Sequence, residues 1–255
     1  MGRLIRTDYH VHTNHSLCGS PEATPWAMVR AAQAASLEAI AITDHVVAPI
    51  NFDRPRLVRE ELPLEVDGLR VYVGCEAEMH ARDLPSISRE YAAGLDLVLF
   101  SPSHLHNIDP RLVHGLERPE MAALILELMK GAIETGYADI IGHAFHVPTC
   151  RHSFGQIVAA ADQAALNATL EMAAQAGVAM ECNPQFLRAD PEAATWLFRL
   201  FIQCGCKVAI SSDSHHPAGV GCRGPQFATE EELRAVGISE EHLFKIEERV
   251  TRALR

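Results

Sequence analysis

The sequence contains no run of about 18 or more apolar residues and no charged n-region followed by an apolar h-region. We therefore expect neither a membrane span nor a secretion signal, and we expect a cytoplasmic protein. It also lacks any CxxC pair, and its seven cysteines, scattered from Cys18 to Cys222, are an odd number. Such cysteines do not form a disulfide framework and are typical of a reducing compartment.

Positive charge is scarce in the chain. The 22 Lys and Arg residues stand against 33 Asp and Glu residues, which gives a net charge of −11. Because nucleic-acid binding draws its affinity from phosphate neutralisation by basic side chains, we do not expect nucleic acid as a partner. A small phosphorylated substrate stays compatible, since bound metal ions can supply positive charge locally.

Short β-branched segments alternate along the chain with longer amphipathic segments. Seven of the short segments are predicted strands: 4–11, 38–43, 70–75, 95–100, 138–142, 178–182 and 206–211. One predicted helix begins at Pro119 and ends at Gly136, and a capping box of Thr229 and Glu232 opens another. No linker or repeat divides the chain, so we expect one domain over residues 1–255.

Every predicted strand has, at or just after its C-terminal end, side chains that can bind a metal or form polar contacts. In chain order they are His10 and His12, Asp44 and His45, Glu76 and Glu78, His104 and His106, His143 and His146, Glu181 and Asn183, and Asp213, His215 and His216. Alternating strands and helices predict parallel strands, and in an α/β barrel the chemistry gathers at their C-terminal ends. A doubly wound sheet would concentrate its site at one switch point, and no GxGxxG or GxxxxGK[ST] loop follows the first strand. We therefore predict a barrel of the TIM-barrel type.

The spacing of these residues indicates a metal centre. His10 and His12 alternate on a strand, so their side chains point to the same face and can close on one ion. Asp213 and His215 have the same spacing. A carboxylate can bridge two ions, so one of the two glutamates in GCEAE is the expected centre of a multinuclear site. Imidazole and carboxylate together suit zinc, iron or manganese.

Seven motifs resemble the PHP (polymerase and histidinol phosphatase) superfamily and occur in the order typical of it. They are DYHVHT, ITDH, GCEAE, SPSHLH, GHAFH, ECNPQFLR and SSDSHHPAGVG, and they span residues 8 to 221. The resemblance implies a PHP-type catalytic domain, a distorted seven-stranded (β/α)7 barrel, three divalent metal ions and phosphoesterase activity. Within the superfamily, the histidinol-phosphatase branch is the most similar.

The resemblance also implies a ligand set, residue by residue. One ion is expected on His10, His12, Glu76 and Asp213, a second on His45 and His215, and a third on His104 and His143 with Glu76 bridging. The spacing alone does not distinguish Glu76 from Glu78, His104 from His106 or His143 from His146. We expect Glu78, His106 and His146 to orient the ligands or to line the cavity.

The chain departs from the histidinol-phosphatase pattern after its first strand. That branch tends to place Cys-Gly-His soon after His-x-His-Thr, and the last histidine serves as a ligand of the second ion. Here the segment reads HTNHSLCGS, so that Ser20 follows Cys18 and Gly19. Three alternatives stay open at this position: His15, the Cys18 thiolate, or no ligand from this loop.

The motif ECNPQFLR resembles that branch's Glu-x-Asn and Leu-Arg pattern, which implies that Arg188 holds the substrate phosphate. A planar guanidinium suits this role, and Arg151 and Arg223 are further candidates. We expect hydrolysis of a small phosphomonoester, with histidinol phosphate as the first candidate, by in-line attack of a metal-bridging hydroxide. His216 and His146 are the candidate proton donors.

Three alternative functions compete with this prediction. A nuclease or nucleotide phosphatase of the same superfamily would use the same residues. An amidohydrolase that cleaves C–N or C–O bonds also has His-x-His on its first strand, but it more typically uses a carboxylated lysine on a fourth strand. No lysine precedes Lys130 in this chain. A non-catalytic metal-binding module is expected to have lost ligands, and this set is nearly complete.

Overall fold

The computed structural model describes residues 2–247. The strands are β1 Thr7–Val11, β2 Ala39–Ile42, β3 His45–Val46, β4 Glu65–Val66, β5 Leu69–Val73, β6 Cys75–Ala77, β7 Met79–Ala81, β8 Leu84–Pro85, β9 Val98–Phe100, β10 Ile140–Ile141, β11 Ala179–Cys182 and β12 Val208–Ile210. The helices are α1 Pro25–Ala34, α2 Arg54–Glu61, α3 Arg89–Ala92, α4 Leu105–Ile108, α5 Pro110–Gly115, α6 Arg118–Glu134, α7 Phe154–Ala160, α8 Gln163–Ala176, α9 Pro184–Ala189, α10 Pro191–Gln203 and α11 Glu230–Val236.

Each of the seven predicted strand segments overlaps an observed strand that is shorter than the prediction, and the segment 70–75 covers most of β5 and the first residue of β6. Helix α6 begins one residue before the predicted Pro119, because Glu117 and Glu120 form a capping box there, in which the Glu117 backbone N–H donates to Glu120 Oε2 at 3.0 Å. The predicted capping box at α11 is confirmed, since the Thr229 backbone N–H donates to Glu232 Oε2 at 2.7 Å.

The strands form a mixed α/β fold with two main sheets and one small hairpin. The first sheet has the order β1-β2-β5-β4, the second has the order β12-β11-β10-β9-β6-β3, and β7 pairs with β8. Apart from the β4–β5 pair, all pairings within the two main sheets are parallel. The hydrogen-bonded ladder is therefore divided between two sheets and is not one continuous ring.

Two chain segments pass from the first sheet into the second. Strand β2 leads into β3, and β5 leads into β6 through Gly74. A Cβ atom at Gly74 would lie 2.1 Å from the Leu97 carbonyl oxygen, so only glycine allows this close approach between neighbouring strands. The passage of the chain from β5 to β6 therefore depends on a residue without a side chain.

The first strand also contacts the loop that follows the last strand. Val11 forms a parallel bridge with Ser214, and the His12 backbone N–H donates to the Ser214 carbonyl at 2.9 Å. The buried Asp8 carboxylate, at the start of this contact, accepts hydrogen bonds from the backbone N–H groups of Ser212 at 3.0 Å and Gly221 at 2.8 Å. These bonds hold the loop after β12 against β1, where the predicted ligands of both lie.

Alternate strand residues face two apolar clusters. Ala41 and Leu99 belong to a small cluster to which strands of both sheets contribute, whereas Ile42 and Phe100 belong to the large cluster that also includes the helices. Residues of both sheets thus face a shared interior. Across the described residues, no helix combines the length and the apolar character that a membrane span requires.

Candidate metal centre

Eight of the nine predicted metal ligands converge where the strands end. Five overlapping sets of donor atoms have all members of a set within 4.8 Å of one another: His12, Cys18, His45 and His215; His10, His143 and Asp213; His10, His12 and Glu76; His45, Glu78 and His104; and Glu76, His104 and His143. These residues come from loops and strand ends far apart in the chain. The predicted ligand that belongs to none of these sets is His15.

Glu76, within β6, lies at the centre of the cluster. Its Oε2 atom is 2.8 Å from His45 Nδ1, 3.3 Å from His12 Nε2 and 3.4 Å from His10 Nε2. Its Oε1 atom is 3.1 Å from His143 Nε2. A single carboxylate thus reaches histidines from three separate parts of the chain, as a bridging ligand requires.

The charges of the cluster compensate one another strongly. Burial alone would raise the pKa of Glu76, but the neighbouring His45, His104 and His10 hold it well below its usual range. Burial likewise disfavours a charged His10, but Glu181, Asp213 and Glu76 together raise its pKa well above the usual range. Glu76 is therefore ionised, and it attracts positive charge into a largely buried site.

Glu181 and Glu78 orient two of the clustered rings. Glu181 Oε1 lies 2.8 Å from His10 Nδ1, and its other oxygen accepts the His143 backbone N–H at 2.6 Å. Glu78 Oε1 lies 2.8 Å from His104 Nδ1. In both pairs the carboxylate binds one ring nitrogen and directs the rest of the imidazole, as carboxylates behind metal-ligating histidines do.

Asp213 reaches the cluster through an unusual backbone conformation. Its φ angle is 53°, in the left-handed region that non-glycine residues seldom occupy. The conformation places Asp213 Oδ1 3.2 Å from His12 Nε2 and 3.4 Å from His10 Nε2. Aspartate tolerates this region better than most residues do. The next backbone N–H, that of Ser214, donates to the His10 carbonyl at 3.3 Å and helps to hold this conformation.

The loop after β1 brings a thiol to the cluster and leaves the predicted His15 outside. His15 Nε2 lies 3.0 Å from Glu61 Oε1, at the start of a turn in which its backbone N–H donates to the Thr13 hydroxyl. The chain then turns back at Gly19, where a Cβ atom would lie 2.0 Å from the Thr13 carbonyl oxygen. This turn places Cys18 next to His45 and His215.

Cys18 has a strongly altered acidity in this position. Partial burial disfavours its thiolate, but hydrogen bonds with His215 and His45 lower the pKa of Cys18 to about 6. A thiolate near neutral pH is a good ligand for zinc.

Two of the three predicted catalytic residues lie away from the cluster. Arg188 forms a two-fold ion pair with Glu232 on α11, with nitrogen–oxygen distances of 2.7 and 2.8 Å. His216 is exposed, and its Nδ1 atom accepts the Ala218 backbone N–H at 3.1 Å as a helix cap. The structure therefore does not bring Arg188 or His216 to the site, because both side chains are used by neighbouring elements. Arg151, a further phosphate candidate, pairs with Glu117 at 2.6 Å.

A cavity of about 450 Å³ opens above the cluster. The third predicted catalytic residue, His146, lines it and packs against Phe186 with 5.5 Å between the ring centroids. Burial and the charge of His143 lower the pKa of His146. The cavity also contains Arg54, which the sequence did not single out, because its segment FDRPRLVREE resembles an ordinary charged helix start.

The distances between the donor atoms fit a bound metal ion. The Nε2 atoms of His10 and His12 are 3.0 Å apart, and each lies 3.2–3.4 Å from Glu76 Oε2 and Asp213 Oδ1. Tetrahedral ligands with bonds of about 2.0–2.1 Å are separated by about 3.3 Å, so these five distances are close to those between ligands of one ion. Glu76 Oε2, which faces this position, is moreover buried and has no hydrogen-bond partner within the described residues.

Comparisons with known proteins show the family of the chain. The family model of the PHP domain matches residues 8–185. The chain is similar to a probable histidinol-phosphatase of Deinococcus radiodurans, with 29% identity over 254 residues, which cover 90% of this chain and 93% of the relative.

A solved structure has a similar fold. It is the histidinol phosphate phosphatase of Lactococcus lactis in complex with zinc, L-histidinol and phosphate, and the two chains superpose with a TM-score of 0.60 at 18% identity. The match covers 91% of this chain and 92% of that one.

Proposed function

Since the chain belongs to the PHP domain family, we propose that it is a metal-dependent phosphoesterase that hydrolyses a small phosphomonoester. The observation that carries the proposal is the convergence of eight imidazole and carboxylate ligands, with Glu76 at their centre, below a cavity large enough for a small substrate. Histidinol phosphate is the leading substrate, because the Deinococcus relative is named a probable histidinol-phosphatase.

We assign three divalent ions to the cluster. The first is assigned to His10, His12, Glu76 and Asp213, the second to His45, His215 and Cys18, and the third to His104 and His143 with Glu76 bridging. Cys18 replaces His15 in this assignment, since its thiol lies within one set with His12, His45 and His215. Zinc is favoured for the second ion by the thiolate, whereas the other ligands also suit iron or manganese.

We also propose that the strands found in the seven predicted segments make a distorted barrel within a single domain. Strands β2–β3 and β5–β6 each continue from one sheet into the other, and the Val11–Ser214 bridge joins the first strand to the loop after the last. The small apolar cluster draws residues from both sheets, which supports an enclosed interior. The ligands then lie at the C-terminal end of that barrel.

The chain's own residues prepare the centre for hydrolysis. Bound divalent ions would supply an activated water molecule and positive charge opposite the phosphoryl oxygens. Glu181 and Glu78 keep His10 and His104 in fixed orientations, and the Ser101 hydroxyl donates to Glu76 Oε1. His146 has a lowered pKa and lies in the cavity, so its neutral ring is placed to hydrogen-bond the substrate's leaving group.

The proposed function is tested with a panel of phosphomonoesters on protein whose metal content has been measured. We expect phosphate release from histidinol phosphate, and loss of that activity after chelation with recovery on adding zinc or manganese back. Preferential release from nucleotides would favour the nucleotide phosphatase alternative. If metal-loaded protein releases phosphate from no member of the panel, the phosphoesterase proposal is wrong.

A further inference from the structure

Arg54 is the only Lys or Arg that lines the cavity above the metal ligands, within residues 2–247. It is the first residue of α2, and its side chain is half-buried. One guanidinium nitrogen donates to the His45 carbonyl oxygen at 2.8 Å. Because His45 is itself a proposed ligand, this bond fixes the guanidinium beside the metal centre.

The charge of Arg54 is not neutralised by a carboxylate in the described part of the chain, where its side chain forms its hydrogen bond with the His45 backbone instead. Its neighbour on the same helix, Arg56, pairs with Glu60, and Arg188 pairs with Glu232. The other two nitrogens of the Arg54 guanidinium form no hydrogen bond within the described residues and can still donate to a ligand. An arginine held in this way is prepared for an anionic ligand.

We propose that Arg54 is the residue that binds the non-bridging oxygens of the substrate phosphate, in place of Arg188; this inference rests on the proposed phosphoesterase function. A planar guanidinium matches phosphate oxygens two at a time. The other charged side chains that line the cavity, apart from its histidines, are Cys18 and the carboxylates Glu76 and Asp213, all of which are assigned above to metal ions. Arg54 therefore supplies the protein's own positive charge at the cavity wall, beside that of the bound ions.

The test compares Arg54→Gln and Arg54→Lys with the matched control Arg56→Gln, which changes an exposed arginine of the same helix. We expect Arg54→Gln to lower kcat/KM by about 10- to 100-fold and to weaken inhibition by inorganic phosphate by a similar factor. Arg54→Lys should show a smaller loss, because it keeps the charge without the planar pair of donors. Arg56→Gln should stay within about twofold of the unchanged protein.

Three outcomes distinguish phosphate binding by Arg54 from a purely structural role. Unchanged phosphate inhibition in Arg54→Gln, at full metal content, would overturn the inference. A fall in kcat without weaker phosphate inhibition would also overturn it, since Arg54 would then only position His45. If Arg54→Gln loses metal or unfolds at a lower temperature than the unchanged protein, Arg54→Lys is tested in its place. Unchanged phosphate inhibition in Arg54→Lys then contradicts the inference.

A failure of the proposed function is distinguished by direct binding. If the unchanged protein hydrolyses no phosphomonoester, calorimetry with inorganic phosphate on the metal-loaded protein and on Arg54→Gln still measures the anion site. Weaker phosphate binding by the variant supports Arg54 as the anion ligand, and equal binding excludes it.

Discussion

The two ends of the strands carry cavities of similar size but opposite character. The cavity above the cluster has a volume of about 450 Å³, and the one lined by Thr7 and Ala39, where β1 and β2 begin, has about 480 Å³. At the latter, Glu38 pairs with Arg6 and its side chain is 59% exposed, whereas Glu76 at the former is 0% exposed. Cavity size therefore does not identify the site. Buried carboxylates that face imidazoles do identify it, because a buried negative charge is costly unless a cation lies beside it.

The largest effect that distinguishes the two ends is expected from Glu76→Gln. Removal of the central carboxylate should lower kcat/KM by on the order of 1000-fold, because it takes away the proposed bridging ligand. Glu38→Gln at the opposite cavity should change the rate little, since an exposed ion pair contributes little. The measurements are hydrolysis, bound metal and thermal unfolding, and a Glu76→Gln variant that stays active would contradict the assigned centre.

A smaller effect is expected from Glu181→Gln, which changes a residue behind the ligands. Its carboxylate lies 2.8 Å from His10 Nδ1, so the amide should loosen the ring and lower metal affinity or activity by about 10- to 100-fold. Titration with zinc in the presence of a competing chelator measures the affinity. Glu171→Gln, on the exposed side of α8, is a suitable control. Unchanged affinity and activity in Glu181→Gln would show that His10 does not depend on this bond.

Substitutions in the loop after β1 should separate Cys18 from His15. Cys18→Ser should lower the bound metal from three ions towards two, because it removes the proposed thiolate ligand of the second ion. His15→Gln should keep the full metal content, since that ring faces Glu61. Elemental analysis of the purified variants gives the counts, and loss of an ion in His15→Gln but not in Cys18→Ser would reverse the assignment.

The smallest effect is expected from Arg188→Gln. Its guanidinium is paired with Glu232, outside the cavity, so kcat/KM should stay within about twofold of the unchanged protein. Steady-state kinetics of Arg188→Gln and Arg54→Gln, measured side by side, compare the two arginines directly. A large loss in Arg188→Gln would restore the phosphate role that the motif ECNPQFLR implies.

Much of the fold and the core of the ligand set follow from local patterns. The seven strand segments were predicted because β-branched, apolar runs bounded by polar residues favour strands wherever they lie. The starts of α6 and α11 were predicted within one residue, since capping depends on neighbours three positions apart. The division into two sheets was not predicted, because it depends on a close contact between Gly74 and Leu97, which are remote in sequence.

The sequence by itself determined which residues could form the centre. Alternation on a strand places His10 and His12 on one face, and the order of the motifs indicated Glu76, His104 and His143. Only the tertiary structure decided where the loop and helix-end side chains lie, with Cys18 rather than His15 at the cluster and Arg54 rather than Arg188 at the cavity. The physical reason is that loop and helix-end side chains are directed by partners distant in the chain: Glu61 contacts His15, Glu232 pairs with Arg188, and the His45 carbonyl holds Arg54.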